Sequence, residues 1–356
     1  MRRELYPHTQ AARARIDAAA VDGGRLRTLA DLQLVAPITL DDVGDGDEYM
    51  VRPTRVDLMR SGSPYMRLRT AWASTWGRWS AYLASIEPVY RPVHFFTADG
   101  VPVGAAAADL VRLAGLGVEW LRNLGVGRHE SVALVGGAGS GIEAWQLSGG
   151  TRRAGISLAV LDDPTVAARH NVNVLAGSED AVLTALRGGR WPALRLVVVL
   201  GASNGRVAGS LRAWAPPGTR SVWYECQGGA AYGWHTTSSA ELIEVDEHGE
   251  VLWTGLGWAG TVFLRLRTDV SAMHIEDTPC AACGHVGARI VAGEGRPALR
   301  RWLQNDPRVA EIRLTSDGAE VLPARAGANA RLVSDARKAF PDQTVAVLGK
   351  KAWTLR

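Results

Sequence analysis

The sequence predicts an α/β fold: a large N-terminal domain of mostly parallel sheets with crossover helices, a β subdomain, and a small α+β C-terminal domain. Three observations carry that expectation. Short apolar runs alternate with helix-patterned segments between residues 104 and 200. Short β runs separated by glycine turns follow Ser221. A compact helix and strand pattern then closes the chain behind the string Gly293-Glu294-Gly295-Arg296-Pro297, which reads as a hinge. A length of 356 residues exceeds the roughly 250–300 that one core usually serves, so a division at 1–295 and 296–356 is expected, with the β subdomain at about 222–290.

The elements follow in order. Residues 9–20 form an Ala/Arg-rich helix, and a short helix over Leu29–Leu34 stops before Pro37. The segment 71–86 sets Trp72, Trp76, Trp79 and Tyr82 at helical spacing, which predicts a core-facing helix. Ala105–Leu124 is a helix, Glu130–Val135 a strand, Gly136–Gly141 a glycine turn, Ile142–Arg153 a helix and Gly155–Leu161 a strand. Helix Glu179–Leu186 and strand Leu194–Leu200 continue the alternation. The β runs are Glu241–Val245, Glu250–Thr254 and Thr261–Arg267. The tail reads as helix Ala298–Gln304, strand Val309–Leu314, a turn at Ser316-Asp317-Gly318, strand Ala319–Pro323, helix Ala330–Phe340 and strand Thr344–Leu348.

Composition narrows the function classes. Hydrophobic content is 47%, charged content 21% and net charge +4, and no dense Lys/Arg stripe accompanies that excess, so no nucleic-acid partner is expected. No apolar run reaches the roughly 18–20 residues of a membrane helix, and Arg2 and Arg3 precede no apolar core, so the expectation is a cytoplasmic chain with no membrane partner.

The three cysteines all fall between 226 and 283. An odd count in a reducing compartment points to metal or catalytic use. Cys280-Ala281-Ala282-Cys283-Gly284 lets two thiolates bite one tetrahedral metal, with the glycine permitting the tight turn. Cys226 is the remaining thiol, and His235 and His285 compete as fourth ligand. A redox CxxC would open a helix after a strand, whereas this one lies in a Pro/Gly turn. A closed set of four protein ligands around zinc would be structural.

The series Tyr224-Glu225-Cys226, Gly233-Trp234-His235, Gly249-Glu250, Thr254-Gly255-Leu256, Arg265-Leu266-Arg267-Thr268-Asp269 and Cys280–Gly284 resembles the phenylacetate-CoA ligase branch of the adenylate-forming enzymes. Metal-holding members of that family use a similar Cys, His, Cys, Cys set, which corresponds here to Cys226, His235, Cys280 and Cys283. Weaker but collinear likenesses are Leu29–Val43, Leu124–Glu130 with Val132–Val135, and Leu194–Leu200 with Gly201-Ala202.

The resemblance implies ATP- and Mg2+-dependent activation of a carboxylic acid, with an aromatic acid as the expected class. The acyl group then passes to a thiol, that of CoA or of the pantetheine on an acyl carrier protein. A homodimer is compatible with it. Asp269 would accept hydrogen bonds from ribose hydroxyls, Arg265 or Arg267 would steady the nucleotide, and Gly201 and Ala202 would back the adenine. Lys350, ahead of Lys351, would contact the carboxylate and α-phosphate. Trp145 or Tyr232 would line the acid pocket.

Two elements depart from the family pattern. The segment collinear with the phosphate loop is His94–Pro102, where Thr97, Gly100 and Pro102 fit but Asp99 places a negative charge against phosphate. The magnesium-binding Glu should precede the cysteine by several residues, but here Glu225 abuts Cys226, so either the loop is shortened or Glu225 stands in for it. These departures favour an alternative: a homologue that has lost adenylation and serves acyl transfer, binding or a partner role. A second alternative is an NAD- or S-adenosylmethionine-binding enzyme. Val132–Val135, Gly137-x-Gly139-x-Gly141 and Asp162 imitate the dinucleotide fingerprint, with the third glycine one place early.

Overall fold

The computed structural model describes residues 9–19, 21, 28–44, 46–55, 58–59, 64–98, 100–136, 141–201, 207–247, 249–292, 299, 302–303, 306–315, 318–325, 329–339 and 344–353. Helix α1 (Gln10–Ala18) starts where the Thr9 hydroxyl accepts from the Ala12 amide, and α2 (Leu29–Gln33) starts on a capping box of Thr28 and Asp31. Arg15 on α1 donates to the Leu264 carbonyl over 2.8 Å and so ties the N-terminal helix to the sheet region.

Helices α3 (Pro64–Thr75) and α4 (Trp79–Tyr90) replace the single Trp-rich helix of the sequence reading. Gly77, at φ +64°, sits in the break between them. Trp72 and Trp76 are 52% and 68% exposed, which corrects the core-facing expectation for both; Tyr82 is buried and Trp79 packs beside it. The reason is that α3 turns Thr70 and Ala73 inward, and only Ala73 joins the small cluster of Leu58 and Tyr82.

Strands β1 (Pro92–Ala98) and β2 (Val101–Ala106) form an antiparallel hairpin in which Ala98 pairs with Val101. The predicted phosphate-loop segment therefore lies on a hairpin whose first strand ends at Ala98 and whose second begins at Val101. Helix α5 (Ala107–Asn123) follows directly.

The strands β3 (Ser131–Val135), β4 (Ser157–Leu161), β5 (Val174–Gly177), β6 (Leu196–Leu200) and β7 (Leu211–Trp214) are parallel, in the order β4-β3-β5-β6-β7. Both faces of the inner strands β3, β5 and β6 are buried, which is why these strands read as unbroken apolar runs. Val132, Leu134, Val174 and Val198 face one core with Leu113, Leu116 and Trp120 of α5 and Leu147 of α6 (Ile142–Ala154). Ala133, Val135, Leu175 and Val199 face a second core with Ala181, Val182 and Ala185 of α7 (Glu179–Arg187). Helices α5 and α6 cross very closely: a Cβ on Gly117 would stand 2.1 Å from the Gln146 carbonyl oxygen.

The predicted β subdomain is continuous with this sheet. After β7 the pairing turns antiparallel through β8 (Trp223–Tyr224), β9 (Trp234–His235), β13 (Arg289–Ala292), β12 (Leu266–Glu276), β11 (Glu250–Gly255) and β10 (Glu241–Val245). The predicted strand Thr261–Arg267 is corrected: the strand runs Leu266–Glu276, and its pairing with β11 slips at Glu250/Leu252. Arg265 and Asp269, at φ 52° and 55°, bracket its first turn of chain, and such a conformation interrupts regular pairing.

The base of the hairpin is locked by a buried ion pair. Asp109, near the start of α5, accepts from the amides of Ala106 (2.9 Å), Ala259 (2.7 Å) and Gly260 (2.8 Å) and from Arg220 (2.9 Å). Arg220 also donates to the carbonyls of Gly104 (3.0 Å) and Thr261 (2.6 Å). Burial draws the Arg220 guanidinium below its usual range, and the Asp109 charge opposes that shift.

A separate three-stranded sheet joins β14 (Val309–Thr315), β15 (Gly318–Pro323) and β16 (Thr344–Val347), packed with α8 (Asn329–Ala339) around Val321, Leu332, Ala336 and Val345. Helix α9 (Lys350–Trp353) comes last. The hinge string 293–297 lies outside the described residues.

Candidate metal centre and active-site residues

The antiparallel half of the sheet assembles the cysteine and histidine cluster. In register, His235 of β9 lies opposite Tyr224 of β8 on one side and Arg289 of β13 on the other. Cys226 leaves β8 two residues after Tyr224. The turn Cys280–Gly284 precedes β13; it is closed by the Gly284 amide donating to Cys280 O over 2.8 Å and the Cys280 amide to His285 O over 3.0 Å. Gly284 adopts φ +72°, the left-handed conformation the turn demands.

The ligand atoms of Cys226, His235, Cys280 and Cys283 all lie within 4.8 Å of one another. Cys226 Sγ stands 3.9 Å from Cys280 Sγ, and Cys283 Sγ stands 3.8 Å from His235 Nε2. A disulfide needs about 2.05 Å, so the thiols are not bonded. Two thiolates about 2.3 Å from one tetrahedral ion stand about 3.8 Å apart, which is the spacing found. The donor set therefore fits a tetrahedral ion that accepts sulfur and nitrogen.

Burial, aided by His285 and Arg289, lowers the His235 imidazole to about 4, so it is neutral at pH 7 as a ligand must be. Burial pushes the Cys283 thiol up to about 12 and raises Cys226 as well. Burial acts on Cys280 in the same direction, but the amides of Cys283 and Ala282 and the neighbouring thiols outweigh it, leaving that thiol below its usual range.

His285 is not one of the four. Its Nε2 lies 3.1 Å from the Thr236 carbonyl, which can only accept, so Nε2 carries the proton. Its Nδ1, 3.0 Å from Asn123 Nδ2, is then the acceptor. Sequence spacing left His235 and His285 open, and these two contacts separate them.

The other predicted residues are distributed as follows. Glu225 is buried and accepts from the Arg212 amide (2.9 Å) and the Arg212 Nε (2.9 Å), while the Arg212 guanidinium lies 5.0 Å over the Trp234 ring. Gly201, at φ +80°, ends β6 and donates to the Ala213 carbonyl over 2.8 Å, so β7 carries Glu225 and Gly201 on adjacent residues. Ala202 and Asp99 lie outside the described residues. Gly100, at φ +85°, occupies the hairpin tip beside the exposed Thr97.

Asp269 is exposed, and its amide donates to Glu250 over 3.3 Å. Arg265 is buried, donates to the carbonyls of Gln33 (2.9 Å) and Val35 (2.6 Å), and pairs with Glu244 at 3.2 Å. Arg267 pairs with Asp246 (2.9 Å) and Glu250. Trp145 lies beside His94, with ring centroids 6.4 Å apart, and Tyr232 ends a short 3-10 helix between β8 and β9. The side chain of Lys350 and the glycine string 137–140 lie outside the described residues.

No protein-family model matches the sequence, and no curated protein matches it. Solved structures do match. One is 2-hydroxyisobutyryl-CoA ligase in an open conformation with 2-HIB-AMP and CoA: TM-score 0.61, 12% identity, 97% of this chain and 85% of that chain. The same ligase in the postadenylation state with R3-HIB-AMP gives TM-score 0.61 and 12% identity over 97% of this chain and 83% of that chain. In the thioesterification state, with 2-HIB-AMP and CoA, it gives TM-score 0.57 and 13% identity over 98% of this chain and 88% of that chain.

Proposed function

We propose that this chain, which has the fold of the adenylate-forming acyl-CoA ligases, activates a carboxylic acid as an acyl-adenylate and passes the acyl group to a thiol. The observation that carries the reading is the correspondence in fold over 97% of the chain with a ligase held with both 2-HIB-AMP and CoA. A carboxylate oxygen attacks the α-phosphorus of ATP and pyrophosphate leaves; the thiol sulfur then attacks the acyl carbon and AMP leaves. Mg2+ would neutralise phosphate charge during the first step.

The residues proposed for this work are Asp269 toward the ribose, exposed on its left-handed kink; Gly201 at the carboxyl end of β6, where ligands of open α/β sheets bind; Thr97 and Gly100 at the hairpin tip; and Lys350 toward the developing charge. An aromatic acid and a CoA or carrier pantetheine thiol are the proposed partners. The separate three-stranded sheet supports a division at 1–295 and 296–356. No helix among the described residues is long and apolar enough to cross a membrane, in keeping with the proposed cytoplasmic location. The metal proposed for Cys226, His235, Cys280 and Cys283 is zinc. With four protein ligands it keeps no open position and holds the loops together.

Two observations favour the second reading, a chain that has lost adenylation. The two-residue turn between Ala98 and Val101 offers few backbone amides to a triphosphate, and Glu225 is held by Arg212. Pyrophosphate release, screened over aryl and aliphatic acids with CoA present, is the test. Turnover with any acid supports ligation. ATP binding without release supports the second reading, and absence of ATP binding refutes the first.

A further inference from the structure

His235 is the only nitrogen in the metal cluster, and its ring must be aimed correctly for Nε2 to reach the ion. Its far nitrogen, Nδ1, is buried and has no hydrogen-bond partner among the described residues. Metal-bound imidazoles are usually steered through that nitrogen by a carboxylate or carbonyl. Here the ring is steered by its neighbours. Tyr224 stacks on one face, with centroids 5.5 Å apart and planes 24° from parallel. His285 meets the ring at 90°, with centroids 5.0 Å apart. Both neighbours are held by one residue. Asn123, the last residue of α5, has two amide hydrogens; Nδ2 donates one to the Tyr224 hydroxyl and the other to His285 Nδ1 at 3.0 Å.

A second link points the same way. Gln227, the residue after Cys226, donates from Nε2 to the Leu124 carbonyl over 3.1 Å, at the C-terminal cap of α5. The loop bearing the first thiol and the clamp around the imidazole thus both end on residues 123 and 124.

We propose that Asn123 is a positioning residue for the metal centre: it clamps Tyr224 and His285 about the His235 ring and couples metal occupancy to the C-terminal turn of α5. The proposal rests on the zinc reading above. Removing the amide takes one tie from each ring neighbour, leaving His285 its contact with the Thr236 carbonyl alone and Tyr224 its packing in β8, and so loosens the setting of the His235 lone pair. Substitution of a residue that orients a metal ligand typically weakens metal binding roughly 10- to 100-fold.

The test uses the full chain, wild type and Asn123→Ala, loaded with zinc, and with cobalt for its visible ligand-field bands. Zinc affinity is measured by competition with a chromogenic chelator, and melting temperature is measured with and without metal. The expected result is an affinity loss of roughly 10- to 100-fold, shifted or broadened cobalt bands, and a smaller melting-temperature difference between loaded and metal-free protein. If Asn123 only fills space, both forms lose stability equally and affinity stays within about twofold, which overturns the proposal. A second measurement serves if the variant does not fold. Hydrogen exchange at residues 120–125 of the wild type should slow on zinc binding, and unchanged exchange there also overturns the proposal. A wild-type chain that binds no zinc fails at the first step and removes the zinc reading itself, a result distinct from the other two.

Discussion

Asp109→Ala is the substitution whose cost the structure fixes most directly. It strips from Arg220, a guanidinium whose side chain is 0% exposed, the only charged partner it has among the described residues. Breaking a buried pair by removing one member costs roughly 3–5 kcal/mol, because the other charge remains buried and uncompensated. Three backbone amides, of Ala106, Ala259 and Gly260, lose their acceptor as well. Each stranded donor costs about 1–3 kcal/mol when dry, less where water enters the space the side chain leaves. A total of at least about 5 kcal/mol follows even where water relieves most of the stranded amides, against a global stability of roughly 5–15 kcal/mol. Thermal unfolding by circular dichroism should fall by about 10 °C or more, or soluble protein should be lost altogether. The double variant Asp109→Leu/Arg220→Met should recover the part of the loss due to the uncompensated charge, since an apolar pair replaces an ion pair at little cost, but not the part due to the three amides. A melting temperature for Asp109→Ala within about 2 °C of wild type would refute the assignment of this pair as the lock on the hairpin base.

Three further outcomes are expected. Gly117→Ala should cost at least about 1–3 kcal/mol in urea denaturation, because its Cβ would meet the Gln146 carbonyl oxygen at 2.1 Å; Gly115→Ala on the same helix, with nothing within 4 Å, should gain about 0.5–1 kcal/mol, and equal effects would contradict the close crossing. Trp72→Ser and Trp76→Ser should each stay within about 1 kcal/mol of wild type, and a loss above about 3 kcal/mol would return those rings to a core. For the metal-free chain, the His235 imidazole is lowered to about 4 from about 6.5 in the unfolded chain, so the unfolded state binds the extra proton and stability drops as pH falls from about 6.5 to about 4. The integrated loss is about 3 kcal/mol, absent in His235→Gln, and a flat pH profile over that window would contradict it.

The parts of the fold that could be read from residue types are those where one requirement dominates. Val132–Val135 and Leu196–Leu200 are apolar on both faces because helices cover both, so their strands were plain. The pair Cys280 and Cys283 was legible from its spacing, whereas Cys226 entered as the remaining thiol and the set with His235 came from the family resemblance. What failed did so for physical reasons. Asp99-Gly100 between alternating residues is a strong two-residue hairpin signal, but aligning His94–Pro102 with a phosphate loop passes over it. The Trp-rich segment announced helix but not which side packs, because Thr70 and Ala73 lie inward while Trp72 and Trp76 do not. The late start of β12 depends on left-handed backbone at Arg265 and Asp269, residue types that do not advertise it. The bond of Asn123 to His285 spans 162 positions, beyond any local pattern, and so does the choice of histidine that rests on it.

The position of β4 at one end of the long sheet has a consequence for how the molecule behaves in a crowd. Among the described residues no strand pairs with its outer side, and Val160 there is 49% exposed. A free strand border of that kind is a template on which another chain can add itself. Here it lasts five residues and ends in Asp162-Asp163-Pro164, two exposed carboxylates and a residue with no amide hydrogen to give. An incoming strand would meet repulsion and a missing donor as soon as it left β4. Asp162, the acid that imitates a cofactor fingerprint, thus belongs with Asp163 and Pro164 to a stop against growth of the sheet between molecules.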